Sequence, residues 1–204
     1  MKPYSNPTSL RVFLAVELSS NLRKKVAELQ RELRGTLPTI NWVHPESIHL
    51  TLKFLGYIAP AMVEQLLTAI EPIRKRQTSI MVEIQGLGVF PYIHRPRILW
   101  IGCTGDMPSL LNFVSRIEGT LEAFGFPPEE KPYHPHLTLA RIKHDNSKVG
   151  NLLAHSGLLE QPRSLGPLHI DRITLFRSDL SPKGVAYTAL WTVPLIEAGS
   201  GPSI

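Results

Sequence analysis

One repeated tetrapeptide constrains this chain more than any other feature. His-Leu-Thr-Leu occurs in Ile48-His49-Leu50-Thr51-Leu52 and again in Pro135-His136-Leu137-Thr138-Leu139, an offset of 87 residues (136 − 49). Each copy follows a segment with helical spacing. Before the first, Leu22, Val26, Leu29 and Leu33 recur on one helix face; before the second, Leu110, Leu111, Val114, Ile117 and Leu121 do so. A repeat in matching surroundings implies two related halves, each offering one strand. Alternate side chains of a strand share a face. The leucines of both copies therefore turn to a core, while His49 and Thr51, and His136 and Thr138, project together. On the same alternation Lys53 joins His49 and Thr51, and Phe54 joins the leucines.

If a pseudo-two-fold axis relates the halves, the two His-Thr pairs face each other across a groove. A phosphate there meets two imidazoles and two hydroxyls. An imidazole holds either protonation state near neutrality, because its ordinary pKa is about 6.5. A neutral one can take a proton from water while a protonated one gives a proton to a leaving alkoxide, and each such transfer is worth about 10² to 10⁴ in rate. Threonine hydroxyls can donate to the oxygens on which charge builds. The scheme calls for no metal or cofactor. One histidine in a strand is usually structural and a strand threonine is ordinary; it is the duplication that carries the signal.

The rest of the 204-residue chain reads as one mixed α+β domain. Strands are expected at 10–17, 48–54, 79–85, 97–103, 136–142, 168–177 and 185–193. Helices are expected from Ser19 or Ser20 to Gly35, around Met62 to Ile73 with Pro72 bending or ending it, at 109–124, and more weakly at 148–153. A turn, Ser181-Pro-Lys-Gly184, joins the last two strands. Residues 1–197 read as the domain, and 198–204, rich in Gly, Ser and Pro, as a loose tail. Residues 1–8 have no apolar core of a signal peptide, and no apolar run approaches the ~18 residues of a membrane span. The single cysteine, Cys103, allows no disulfide within the chain and suits a reducing cytoplasm. A net charge of +5 suits an anionic ligand without requiring one. No serine-hydrolase elbow or phosphate-binding loop is present. His44 and His134 lie beside the paired histidines and read as rim residues that can touch substrate. Without a carboxylate at a ligand spacing they do not suggest zinc. Phe90, beside Pro91-Tyr92, and Tyr133 are candidates for stacking a base. His94, His144, His155 and His169 read as surface.

These motifs and their flanks resemble the 2H phosphoesterase superfamily, which takes its name from two His-x-Thr-x motifs. More closely they resemble the bacterial and archaeal RNA 2′,3′-cyclic phosphodiesterases, also called 2′-5′ RNA ligases. The resemblance runs through Arg11-Val-Phe-Leu-Ala-Val16, Trp42 to Gly56, Pro96 to Gly102, Tyr133-His-Pro-His-Leu-Thr-Leu-Ala-Arg141, and Leu175 to Leu180 with Gly184 and Tyr187. It implies two pseudo-symmetric antiparallel sheets, in two intertwined lobes, lining a central cleft with helices outside. It also implies His49 as proton donor, His136 as proton acceptor and Arg141 as a phosphate-binding fork. The two motifs are symmetric, so sequence alone does not order the roles. Arg141 and His136 differ by an odd number, so a strand bulge is needed to bring them to one face. The expected reaction is opening of RNA 2′,3′-cyclic phosphates to 2′-phosphates by a monomer. The alternatives are 2′-5′ ligation by the reverse reaction and a non-catalytic RNA-binding module.

Overall fold

The computed structural model describes residues 9–37, 40–181 and 184–197. The expected tail at 198–204, residues 1–8 and the Pro182-Lys183 centre of the last turn lie outside the described residues. In chain order the elements are β1 (Leu10–Glu17), α1 (Ser20–Arg34), β2 (Asn41–Trp42), a 3-10 turn (Pro45–Ser47), β3 (His49–Ile58), α2 (Met62–Arg74), β4 (Ile80–Phe90), β5 (Ile98–Gly105), α3 (Met107–Glu122), β6 (His136–Arg141), α4 (Asn146–Ser156), β7 (Ser164–Ile170), β8 (Arg172–Ser181) and β9 (Gly184–Pro194).

The strands form an antiparallel order β7-β4-β5-β6-β3-β1-β8-β9, with β2 paired to β6. The two expected sheets are its halves. They join at the β3–β6 seam through a single residue pair, Leu50 with Leu137. The repeat is thus one strand at the inner edge of each half. β1 has no alternation because it is interior and covered on both faces, and Val12 to Val16 are all buried.

Two helices, α1 and α3, cross between the halves. Following β1, α1 is capped by the Ser19 hydroxyl, which accepts from Leu22 N. It packs behind the other half, where buried Gln30 donates to Leu139 O and Arg163 pairs with Glu32. Following β5, α3 packs behind the first half, where Glu118 pairs with Lys53 of β3. This exchange intertwines the lobes around a common apolar core. Pro72 sits in the last turn of α2, where it removes the bond that Thr68 O would have accepted, and the helix ends two residues past it. Among the described residues, no helix is long and apolar enough to cross a membrane.

Two expectations are corrected. The segment 168–177 is not one strand: β7 pairs with β4 in one half and β8 with β1 in the other. The chain changes sheets at Asp171, whose carbonyl accepts from Leu195 N while its carboxylate holds Arg172. Second, Lys53 and Phe54 exchange faces. Ala15 pairs with Thr51 but Leu14 pairs with Lys53, so Leu52 is an extra, bulged residue. Lys53 is thereby turned inward, where its ammonium donates to Glu118 and to Pro127 O. Phe54 is turned out, 53% exposed.

Candidate active site

The bulge in β3 has a twin in β6. Trp100 pairs with Thr138 and Leu99 with Ala140, which leaves Leu139 as the extra residue. Leu139 holds in its motif the place of Leu52. His49 to Phe54 and His136 to Arg141 accordingly share one burial pattern: half-buried, buried, half-buried, buried, buried, exposed. The bulge supplies the one-residue slip the sequence required, so Arg141 shares the face of His136 and Thr138. Phe54 occupies the matching place beside His49 and Thr51.

Each imidazole is anchored in the same way. His49 Nδ1 lies 2.9 Å from Ser47 O, and His136 Nδ1 lies 2.7 Å from His134 O. A carbonyl oxygen only accepts, so Nδ1 carries a proton in both rings and Nε2 is left for chemistry. In a neutral ring Nε2 is then a base; in a protonated ring it is an acid. The preceding 3-10 turn places Ser47. The His44 ring caps that turn, accepting from Glu46 N at 3.4 Å, so it supports the motif rather than joining the paired imidazoles.

The walls are aromatic. His49 stacks on Phe13 with centroids 4.7 Å apart and meets the edge of Tyr187 at 5.1 Å, with Phe176 behind. His136 meets Phe90 at 5.0 Å, and His134 lies against both Phe90 and Trp100. Gly88 makes room for Trp100, since a Cβ there would come within 2.2 Å of the indole. Phe13, Trp100, Phe176 and Tyr187 were given no role from sequence. The signal available was on β1, where Phe13 and Ala15 sit on the non-core face of an unbroken apolar run.

Burial dominates the electrostatics. It lowers His49 to about 4, against the raising effect of the Ser47 carbonyl, with Arg141 and then His136 adding smaller downward pushes. Burial lowers His136 as well, against the His134 carbonyl, with His134 and Arg141 pushing the same way. Arg141 thus acts on both rings, and among the described residues its guanidinium has no hydrogen bond or ion pair. An uncompensated guanidinium that acts on two imidazoles favours an anion. Among the described residues no three His, Cys, Asp or Glu side chains converge as a metal site would require. Cys103 is half-buried and its thiol is pushed up to about 12 by burial, which removes it as a nucleophile.

Tyr133 is half-buried against the core, and its hydroxyl donates to Thr51 O at 2.7 Å. Phe90 and His134 both stand against the His136 ring, with centroids 5.0 and 6.3 Å away. His94, His144, His155 and His169 are exposed.

The model of the family described as LigT-like phosphoesterases matches residues 16–100 and again 103–187. The chain belongs to this family. The two matched segments are offset by the same 87 residues that separate the histidines (103 − 16). A relative from Aeropyrum pernix named RNA 2′,3′-cyclic phosphodiesterase is 30% identical over 177 residues, 86% of this chain and 97% of its own length. The solved structure of TT0787 of Thermus thermophilus is 27% identical with a TM-score of 0.75, covering 91% of this chain and 98% of its own. Escherichia coli LigT, at 19% identity and a TM-score of 0.74 over 93% and 99% of the two chains, shares the fold.

Proposed function

We propose that this phosphoesterase opens the 2′,3′-cyclic phosphate at the end of an RNA to a 2′-phosphomonoester. The observation that carries the reading is the matched pair of imidazoles, each anchored through Nδ1, with Thr51, Thr138 and an uncompensated Arg141 on the same strand faces. The name of the Aeropyrum pernix relative supports the substrate class.

Arg141 holds the cyclic phosphate monoanion, and the threonine hydroxyls donate to its non-bridging oxygens. His136 Nε2 takes a proton from a water as its oxygen bonds to phosphorus. The P–O3′ bond breaks, and His49 Nε2 gives its proton to the departing 3′ oxygen. The 2′-phosphate leaves, and solvent returns both rings to their starting states. No metal takes part. The order of roles rests on acidity: His49 has the larger downward shift, and the stronger acid is the better donor to an alkoxide. The bound phosphate supplies the negative charge that loads its proton. The enzyme is proposed to act as a monomer in the reducing cytoplasm.

The test is turnover, in EDTA, of an oligoribonucleotide ending in a 2′,3′-cyclic phosphate. The expected product is a 2′-phosphate, and His49→Ala and His136→Ala are each expected to lose about 10² to 10⁴ in kcat. A 3′-phosphate would reverse the donor and acceptor. Full activity in either variant would end the two-histidine reading.

A further inference from the structure

Just past the cleft, at the common end of β4, β5 and β6, lies a second concavity of about 840 Å³. It continues the cleft wall residue by residue. Pro91 and Tyr92 follow Phe90, Arg97 precedes Ile98, and Ile142 and Lys143 follow Arg141, the last residue paired with Ile98. Arg97 O accepts from Ile142 N at 2.8 Å, which closes the floor between the two strands.

Its walls are fixed. Asn146 Nδ2 donates to Pro96 O at 2.6 Å and to Ile142 O at 3.3 Å, tying the first turn of α4 to both strand ends. Gly150 lets α4 approach the opposite loop, where a Cβ would come within 2.2 Å of Ile93 O. Arg95, Arg97, Lys143 and Lys148 supply four cations against one carboxylate, Asp145. Lys148 reaches Asp145 at 3.9 Å; among the described residues the other three form no ion pair. Tyr92, 54% exposed, stands among them.

We infer that this pocket binds the RNA chain upstream of the terminal cyclic phosphate, and so makes the protein select oligoribonucleotides over cyclic mononucleotides. The inference rests on the proposed phosphodiesterase reading for its substrate class. Unpaired cations suit a run of phosphates, and an exposed ring between them suits an unstacked base. Direct continuity with Arg141 and Phe90 orients the chain: its terminal phosphate lies at the histidines and its preceding nucleotides run past β6.

The experiment compares wild type with Arg95→Ser/Arg97→Ser/Lys143→Ser, three exposed positions. A control, Lys24→Ser/Arg31→Ser/Arg76→Ser, removes equal charge from exposed positions on or just after other helices. The first readout is the affinity, by fluorescence anisotropy, for a labelled hexaribonucleotide with a 3′-phosphate. The pocket variant is expected to bind about tenfold or more weakly, and its log-affinity against log-salt slope to flatten by about two. The control is expected to stay within about twofold. The second readout is kcat/KM on the cyclic-ended hexamer and on a nucleoside 2′,3′-cyclic phosphate. The pocket variant is expected to lose the advantage of the hexamer while keeping the mononucleotide rate. Unchanged binding in the pocket variant, or an equal loss in the control, overturns the pocket whatever turnover does. A wild type that turns over neither substrate overturns the phosphodiesterase reading, while the binding readout still decides the pocket.

Discussion

The two halves share a scaffold and differ in what they put on it. In both, a strand bulged at the fourth motif residue presents a histidine, a threonine and then one exposed side chain. In both, the imidazole is anchored to the carbonyl two residues earlier. The exposed side chain is Phe54 in one half and Arg141 in the other. The wall around His49 is Phe13, Phe176 and Tyr187; the wall around His136 includes a second imidazole, His134. Duplication therefore accounts for where the two imidazoles stand, and divergence outside the repeat accounts for their being chemically unequal. One half holds a deeply desolvated, strongly acidic histidine. The other holds a less perturbed one on the strand that carries Arg141.

The largest test of that inequality is pH. His49 titrates near 4 when folded and near 6.5 when unfolded. Between these values the unfolded chain binds a proton that the folded chain does not. Stability contributed by the neutral ring is complete above pH 6.5 and is lost as pH falls through 4, by about 3 kcal/mol in all. His136, shifted the same way, adds to the same slope. Denaturant unfolding from pH 7 to 4 should show His49→Gln gaining on wild type by about that amount; parallel curves would mean that the aromatic box does not desolvate the ring. In catalysis the same shifts put the kcat/KM optimum of the free enzyme below pH 6.5. The kcat optimum should lie higher, because a bound phosphate favours the charged imidazole.

Next comes the Phe54–Arg141 difference. Arg141→Phe makes the halves alike. It should weaken binding of the 2′-phosphate product by about 2 kcal/mol, roughly thirtyfold, the scale of a charge-assisted hydrogen bond. It should also raise the titration of both histidines, since Arg141 pushes both down. Calorimetry reads the first effect and histidine NMR the second. Unchanged product affinity would mean that the hydroxyls and imidazoles alone hold the phosphate.

Much of this was legible before the fold was known, and for a physical reason. The repeat lies in strands, and strand period 2 assigns faces from sequence wherever the ladder is regular. The ladder breaks at Leu52 and Leu139. Up to those residues the alternation places His49, Thr51, His136 and Thr138 correctly; beyond them it misplaces Lys53 and Phe54. Arg141 could be placed only by adding a bulge on the strength of its expected role. The aromatic walls were hidden because strands covered on both faces lose their alternation: in β1, Phe13 faces the cleft but reads like the core residues beside it. The division of 168–177 was hidden because a change of sheets at Asp171 leaves no break in apolar character. The Tyr133 bond to Thr51 O was hidden because a position before the motif says nothing of which way the ring turns.

That ring gives the smallest test, and it bears on how the halves stay in register. The seam between the motif strands has one residue pair, Leu50 with Leu137. Tyr133, three residues before His136, crosses it to donate to Thr51 O. Burial raises its phenol above the ordinary range, so the group is a neutral donor at any working pH. Tyr133→Phe keeps the packing and leaves the carbonyl short of a donor, which should cost about 1 kcal/mol of stability. Because the carbonyl belongs to the residue between His49 and the bulge, a small displacement of that strand should lower kcat by a few-fold through the imidazole separation. The pH profile should not move, since no titrating group is touched. Denaturant midpoints and kcat together read this. A stability loss without a change in kcat would show that the Leu50–Leu137 pair and the core alone set the separation of the two imidazoles.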